Sequence, residues 1–166
     1  MMLIFSLHLI LTAAVFAAPQ VHKDRSRLPI TIKSNEMTAD NKGKTAKFSG
    51  KVVAKQGDIT IFSDTLIVNY ADKSGEVEKV EAGGNVRIVQ MNRTGFADQA
   101  VYDSRNGRIV LTGSPRVMQG GDSISGKVIT YYLDDEKSDV SSGGDPKARV
   151  EAVINPQAGK NDAGSR

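Results

Sequence analysis

The chain has 166 residues, 22 Lys and Arg against 19 Asp and Glu, no cysteine, no tryptophan and 5% aromatic residues. That length suits one ordinary domain, and the lack of cysteine excludes disulfides, thiol nucleophiles and thiolate metal sites. The net charge of +3 is scattered between both signs, which leaves no basic block for nucleic acid and mildly favours acidic partners such as phosphorylated lipid.

Residues 1–17 contain no Lys, Arg, Asp or Glu and include the apolar run Leu7 to Phe16, the pattern of a secretory signal peptide. Val15 and Ala17 supply the small side chains that a processing enzyme reads before its cut, so the mature chain is expected to begin at Ala18. The usual basic amino-terminal region is missing, and this keeps an uncleaved anchor as the alternative. Against the anchor, the run is shorter than the roughly 20 residues that span a bilayer as a helix. Residues 18–28 form a polar lead-in, residues 29–155 the ordered domain, and residues 156–166, almost without apolar content, a tail expected to be disordered.

Within 29–155 no stretch shows apolar residues at helical spacing. Short alternating runs rich in Val, Ile, Thr and Tyr recur between Gly, Asn and Asp turns, which predicts an all-β fold. Four of these runs can be superimposed, starting at Ser34, Ser63, Ala97 and Gly126. The intervals of 29, 34 and 29 residues are those of a repeat architecture. In each copy a small residue opens the run and the fourth and sixth positions are apolar, so Met37 and Ala39, Leu66 and Val68, Ala100 and Tyr102, and Ile129 and Tyr131 are expected on one face. Return strands reach glycines at Gly50, Gly84 and Gly113, and later strands enter turns opened by Gln56, Gln90 and Gln119. The extra residues of the middle interval are assigned partly before Gly84 and partly to a longer turn over Gln90 to Gly95.

Each unit turns back twice, so consecutive units can pair equivalent strands along a folded-over sheet, a twisted, V-shaped β-jelly roll open at both ends. Its interior is predicted to hold Ile30, Ile32, Met37, Ala39, Phe48, Val52, Ile59, Ile61, Leu66, Val68, Val86, Ile88, Ala100, Tyr102, Leu111, Ile129 and Tyr131. Open ends leave edge strands, expected near 29–34 and 148–154, with backbone groups available to another chain.

Little else carries chemistry. The one histidine after the signal, His22, lies in the lead-in, and no Ser-His-Asp or Cys-His set can be assembled around it. Gly120-Gly121 suits a turn better than a phosphate loop, and Asp134-Asp135 and Glu76/Glu78 suit solvated charges better than an acid–base pair or calcium ligands. Asn92-Arg93-Thr94 fits the glycosylation acceptor pattern as a three-residue match. No enzyme, cofactor or metal is expected.

The segments Pro29 to Ser34, Phe48 to Gly57, Val110 to Gly113 and Gly126 to Tyr131, in this order and phase, resemble the LptA/OstA family of periplasmic lipopolysaccharide-transport proteins. The resemblance covers Pro29 to about Pro156. It implies an exported jelly roll, stacked head to tail between an LptC-like inner-membrane protein at its amino-terminal edge and an LptD-like outer-membrane translocon at its carboxy-terminal edge. Lipopolysaccharide acyl chains would ride in the apolar groove, with Ile30, Ile32, Ile88 and Tyr102 carried over as contact positions. The remaining predicted groove residues are Met37, Phe48, Val52, Leu66, Val68, Val86, Ala100, Leu111, Ile129 and Tyr131. Pro115, after Gly113, departs from the pattern and is expected to make a local bulge. An LptC-like tethered relative and a non-conducting envelope scaffold acting through its sheet edges are the alternative readings.

Overall fold

The computed structural model describes residues 28–133 and 137–156. The signal peptide, the lead-in through Arg27, the Asp134-Asp135 pair and the tail from residue 157 lie outside the described residues.

Twelve strands occur among the described residues: β1 (Thr31–Lys33), β2 (Glu36–Asp40), β3 (Thr45–Gln56), β4 (Ile59–Tyr70), β5 (Val77–Gln90), β6 (Arg93–Asp103), β7 (Arg108–Thr112), β8 (Arg116–Gln119), β9 (Asp122–Ser125), β10 (Val128–Tyr132), β11 (Lys137–Ser141) and β12 (Glu151–Val153). Every pairing is antiparallel. The long strands β3 to β6 each cross the whole section, whereas the others are half-strands interrupted midway. Two walls result, sharing the long strands: a first wall β2-β3-β4-β5-β6-β7-β10-β11 and a second wall β1-β3-β4-β5-β6-β8-β9-β12. The all-β, folded-over jelly roll expected from the alternation is the fold observed.

The corner between the walls has a repeated chemical cause. Two successive left-handed residues redirect the chain at Gly50-Lys51 (φ 79° and 49°), Gly84-Asn85 (75° and 48°), Gly113-Ser114 (74° and 54°) and Gly143-Gly144 (63° and 81°). In the paired long strands the register slips there, between Ser49 and Val52, Phe62 and Thr65, and Gly83 and Val86. The neighbouring strand lays a side chain over each leading glycine: Asn35 over Gly50, Asp64 over Gly84, Asp98 over Gly113 and Lys127 over Gly143. A Cβ at Gly84 would sit 2.9 Å from the Cβ of Asp64, so only glycine allows both the backbone turn and the close approach. The residues of the four superimposed sequence copies thus mark one corner ladder, and Gly143 is its fourth rung. Pro115 is buried directly after the third corner, and its carbonyl accepts the Gly126 N–H at 3.4 Å.

The spacing around the corners corrects the placement of the extra residues. Gly50 to Asp64, Gly84 to Asp98 and Gly113 to Lys127 are each 14 residues apart, while Asn35 to Gly50 and Asp98 to Gly113 are 15 and Asp64 to Gly84 is 20. All five extra residues therefore lengthen the first-wall arms of β4 and β5 and their loop over 71–76. The segment Gln90 to Gly95 is no long turn: Gln90 pairs with Arg93 across Met91-Asn92, with Met91 at φ 48°. The hairpins at Gly57-Asp58 and Gly120-Gly121 have the same two-residue length and the same positive φ at the first central residue.

Alternation then sorts the side chains. Val52, Ala54, Leu66, Val68 and Val80 form one buried cluster, and Ala82, Val86, Ala97, Ala100, Ile109, Leu111 and Ile129 form another. Without disulfides, this burial of mid-sized side chains, worth about 1.5–3 kcal/mol for each large one, supplies the main stabilisation beside the ladders. Two interior expectations fail. Met37 and Ala39 face inward by register, opposite Phe48 and Ala46, yet both are exposed, Met37 to 60%. Their strand β2 is the edge of the first wall, so no described strand lies beyond to cover them. Ile30, just before β1, is 37% exposed and still lines the groove.

The first-wall turns are tied by aspartates. Asp40 accepts the N–H groups of Lys42 and Gly43 at 2.9 Å each. Asp103 accepts Asn106 Nδ2 at 2.5 Å and the N–H groups of Arg105 and Asn106, with Arg108 3.7 Å away. The Asn106 side chain, then these amides and Arg108, outweigh desolvation and hold the Asp103 carboxyl below its ordinary pKa. A lowered pKa adds stability that is present above the ordinary carboxylate value and is lost as pH falls through the depressed one. Comparing acid unfolding of the native chain with Asp103→Asn should therefore show the native chain's advantage at neutral pH shrinking below about pH 4.

Candidate functional site

The inner faces of the two walls enclose a groove. Toward β1, a cavity of about 70 Å³ is lined by Ile30, Ile32, Leu66, Val68, Tyr102 and neighbours that include Val80 and Leu133. Toward β9 and β10, a cavity of about 240 Å³ is lined by Ile88, Leu111, Val117, Ile124, Ile129 and Tyr131 among others. Ile59 and Ile109 line both, so the two spaces adjoin at a waist formed by one residue from each wall. Each space is smaller than the roughly 300 Å³ of a closed small-molecule pocket; together they form an apolar passage along the stack.

The sequence-predicted residues divide by depth. Nine of the predicted lipid-contact residues line the two cavities, Ile30, Ile32, Leu66, Val68 and Tyr102 the smaller and Ile88, Leu111, Ile129 and Tyr131 the larger, and the predicted interior residues Ile59 and Ile61 join them. Phe48, Val52, Val86 and Ala100 pack in the clusters without lining either space. Met37 joins none of these groups and stands out at the β2 edge.

Several lining residues escaped the sequence reading. Ile109 stands two residues before Leu111 and so shares its face, a signal that was available. Arg93 was hidden by reading its segment as a turn, although it stands two and four residues before the inward Gly95 and Ala97. The glutamines that open the second-wall turns end strands instead. Gln56 borders the smaller cavity, and Gln90 and Gln119 border the larger, giving the groove a polar lip. At that lip Arg93 Nε donates to Gln119 Oε1 at 2.8 Å, and Arg93 Nη1 donates to the Tyr131 hydroxyl oxygen at 3.3 Å.

Among the described residues no strand covers either end of the stack: β1 and β2 end it on one side and β11 and β12 on the other, with β1 and β12 on the edges expected near 29–34 and 148–154. Apolar side chains stand exposed there: Met37 at one end, Val153 and Ile154 at the other. Among the described residues no group of His, Cys, Asp or Glu could hold a metal ion, and no helix is long and apolar enough to cross a membrane.

Residues 31–137 match the LptD_N family, described as LptA/(LptD N-terminal domain) LPS transport protein. The lipopolysaccharide export system protein LptA of Escherichia coli K12 is 30% identical over 161 residues, covering 91% of this chain and 85% of its own. LptH, the corresponding export system protein of Pseudomonas aeruginosa, is 26% identical over 89% of this chain and 91% of its own. The LPS-assembly protein LptD of Shewanella oneidensis matches 66% of this chain at 32% identity with only 12% of its own length. Among solved structures, that of Pseudomonas aeruginosa LptH, the LptA-homologous periplasmic component of the lipopolysaccharide transport device, superimposes with a TM-score of 0.71 over 80% of this chain and 99% of its own, at 24% identity. With the matched region spanning both walls of the groove, the chain belongs to the family of LptA and LptD amino-terminal-domain lipopolysaccharide transport proteins.

Proposed function

We propose that this chain is a non-enzymatic periplasmic bridge that carries lipopolysaccharide by its acyl chains from an LptC-like inner-membrane partner to an LptD-like outer-membrane translocon. The observation that supports this most is the apolar passage itself, two adjoining cavities between the walls whose lining includes the repeat positions Leu66, Val68, Tyr102, Ile129 and Tyr131. Burying a methylene is worth about 0.8 kcal/mol, so one deep pocket for several chains would hold cargo too tightly to release it. Equivalent apolar positions in every repeat instead give a nearly level energy along the axis, and a motor elsewhere can push the lipid. Export with cleavage after Ala17, and head-to-tail association through β1/β2 of one copy and β11/β12 of the next, complete the reading.

Equilibrium binding to the purified chain beginning at Ala18 tests it. Lipopolysaccharide should bind, and the deacylated form should compete at least tenfold less well. Equal competition by the deacylated form would show that the sugar and phosphate portion is recognised without the groove.

A further inference from the structure

We infer that Arg93 is a headgroup site at the lip of the groove, where its guanidinium takes the phosphate of an amphiphile whose acyl chains occupy the larger cavity. The inference rests on the lipid-carrying reading above and adds a residue and a chemical class to it.

The placement follows from register. Arg93 opens β6 on the inward phase of the second wall, between Gln90 of β5 and Gln119 of β8. It lines the larger cavity together with Ile88, Leu111 and Ile129, and its guanidinium is, among the described residues, the one cation on a lip that also carries Gln90, Gln119 and Asp122 above an apolar floor. That is the complement of a molecule with a hydrocarbon body and an anionic end.

Among the described residues its partners are all neutral. Gln119 holds Nε at 2.8 Å, the Tyr131 hydroxyl accepts from Nη1 at 3.3 Å, and the guanidinium carbon stands 5.7 Å from the centre of the Tyr131 ring. Among the described residues no carboxylate makes an ion pair with it. Tyr131 belongs to β10 of the first wall, so this contact bridges the mouth from wall to wall. An arginine paired with a carboxylate would have to break a charged contact to accept a phosphate. Here only a long hydrogen bond to an uncharged hydroxyl and a cation–π contact are exchanged for an ion-paired contact with the phosphate, while Gln119 keeps the fork oriented. The nearest lining carboxylate, Asp122, is two strands away, at roughly 10 Å from the spacing of strands, and its Oδ1 accepts the Asn155 N–H at 2.8 Å.

The test compares three ligands on the chain beginning at Ala18: lipid A with its phosphates, the same lipid dephosphorylated, and inorganic phosphate. The native chain should bind the phosphorylated lipid roughly tenfold more tightly than the dephosphorylated one, with inorganic phosphate failing to compete at millimolar concentration. Arg93→Gln should abolish that preference and leave binding of the dephosphorylated lipid unchanged, and Arg93→Lys should keep part of it. The proposal is overturned if the native chain shows no preference, if Arg93→Gln weakens both lipids equally, or if inorganic phosphate alone competes. Failure of both lipids to bind the native chain would instead remove the lipid-carrying reading on which it rests.

Discussion

Gly113→Ala should lower folding stability by about 3 kcal/mol, whereas Gly120→Ala should cost about 1 kcal/mol. Both glycines are left-handed, with φ of 74° and 59°, so both substitutions incur the same conformational penalty. They differ in surroundings. A Cβ at Gly120 meets nothing within 4 Å, while one at Gly113 collides with Asp98, including its Cβ, which cannot swing aside as a side-chain tip would. The Asp98 N–H also donates to the Gly113 carbonyl at 3.1 Å, so retreat of either strand costs a ladder bond at the corner. Adding Asp98→Gly to Gly113→Ala should restore part of the loss. Urea unfolding of the four chains measures this, and equal costs at positions 113 and 120 would mean that the corner ladder does not constrain the fold.

The second large effect is expected from charge on the groove floor. Ile129 is 2% exposed and lies between Leu111 and Val140 across the first wall. Aspartate there would bury a carboxylate among Leu111, Val140 and Ala100, costing about 3–5 kcal/mol. Ile129→Val removes one methylene and should cost about 0.5–1.5 kcal/mol. Met37→Asp provides the contrast. It shares the inward phase but stands 60% exposed at the β2 edge, so its folding cost should stay within about 0.5 kcal/mol. Denaturant midpoints for the three variants separate a buried floor from an open edge, and a Met37→Asp cost as large as that of Ile129→Asp would show that something covers β2.

Much of this architecture was legible because the repeat exists for a physical reason. Asn35, Asp64, Asp98 and Lys127 recur at one phase since each must lie over a left-handed glycine, and the corner leaves that spacing no freedom. Strand alternation likewise assigned Leu66, Val68, Leu111 and Ile129 to the inner face, where all four are buried. What alternation lacks is knowledge of neighbours. It places Met37 on the correct face and cannot say that β2 is the last strand of its wall. Nor does composition separate a strand end from a turn: Gln90-Met91-Asn92-Arg93 is as polar as a loop, yet a two-residue hairpin keeps both flanking residues in register. Arg93, the cation at the lip, went unread for that reason. The fourth corner was missed because Gly143 and Gly144 follow a half-strand of five residues, too short to show a period.

Lipid carried by this chain should travel between the two walls. A photo-reactive side chain placed in cells at Ile88, Tyr102 or Ile129 faces the groove, whereas one at Val101, paired outward between Glu81 and Val110, faces away from it. Lipopolysaccharide should be captured at the three inward positions and not at Val101, with capture rising when transport is active. Capture at Val101 equal to that at the inward positions, or none at Ile88, Tyr102 and Ile129 in a folded and exported chain, would contradict the account.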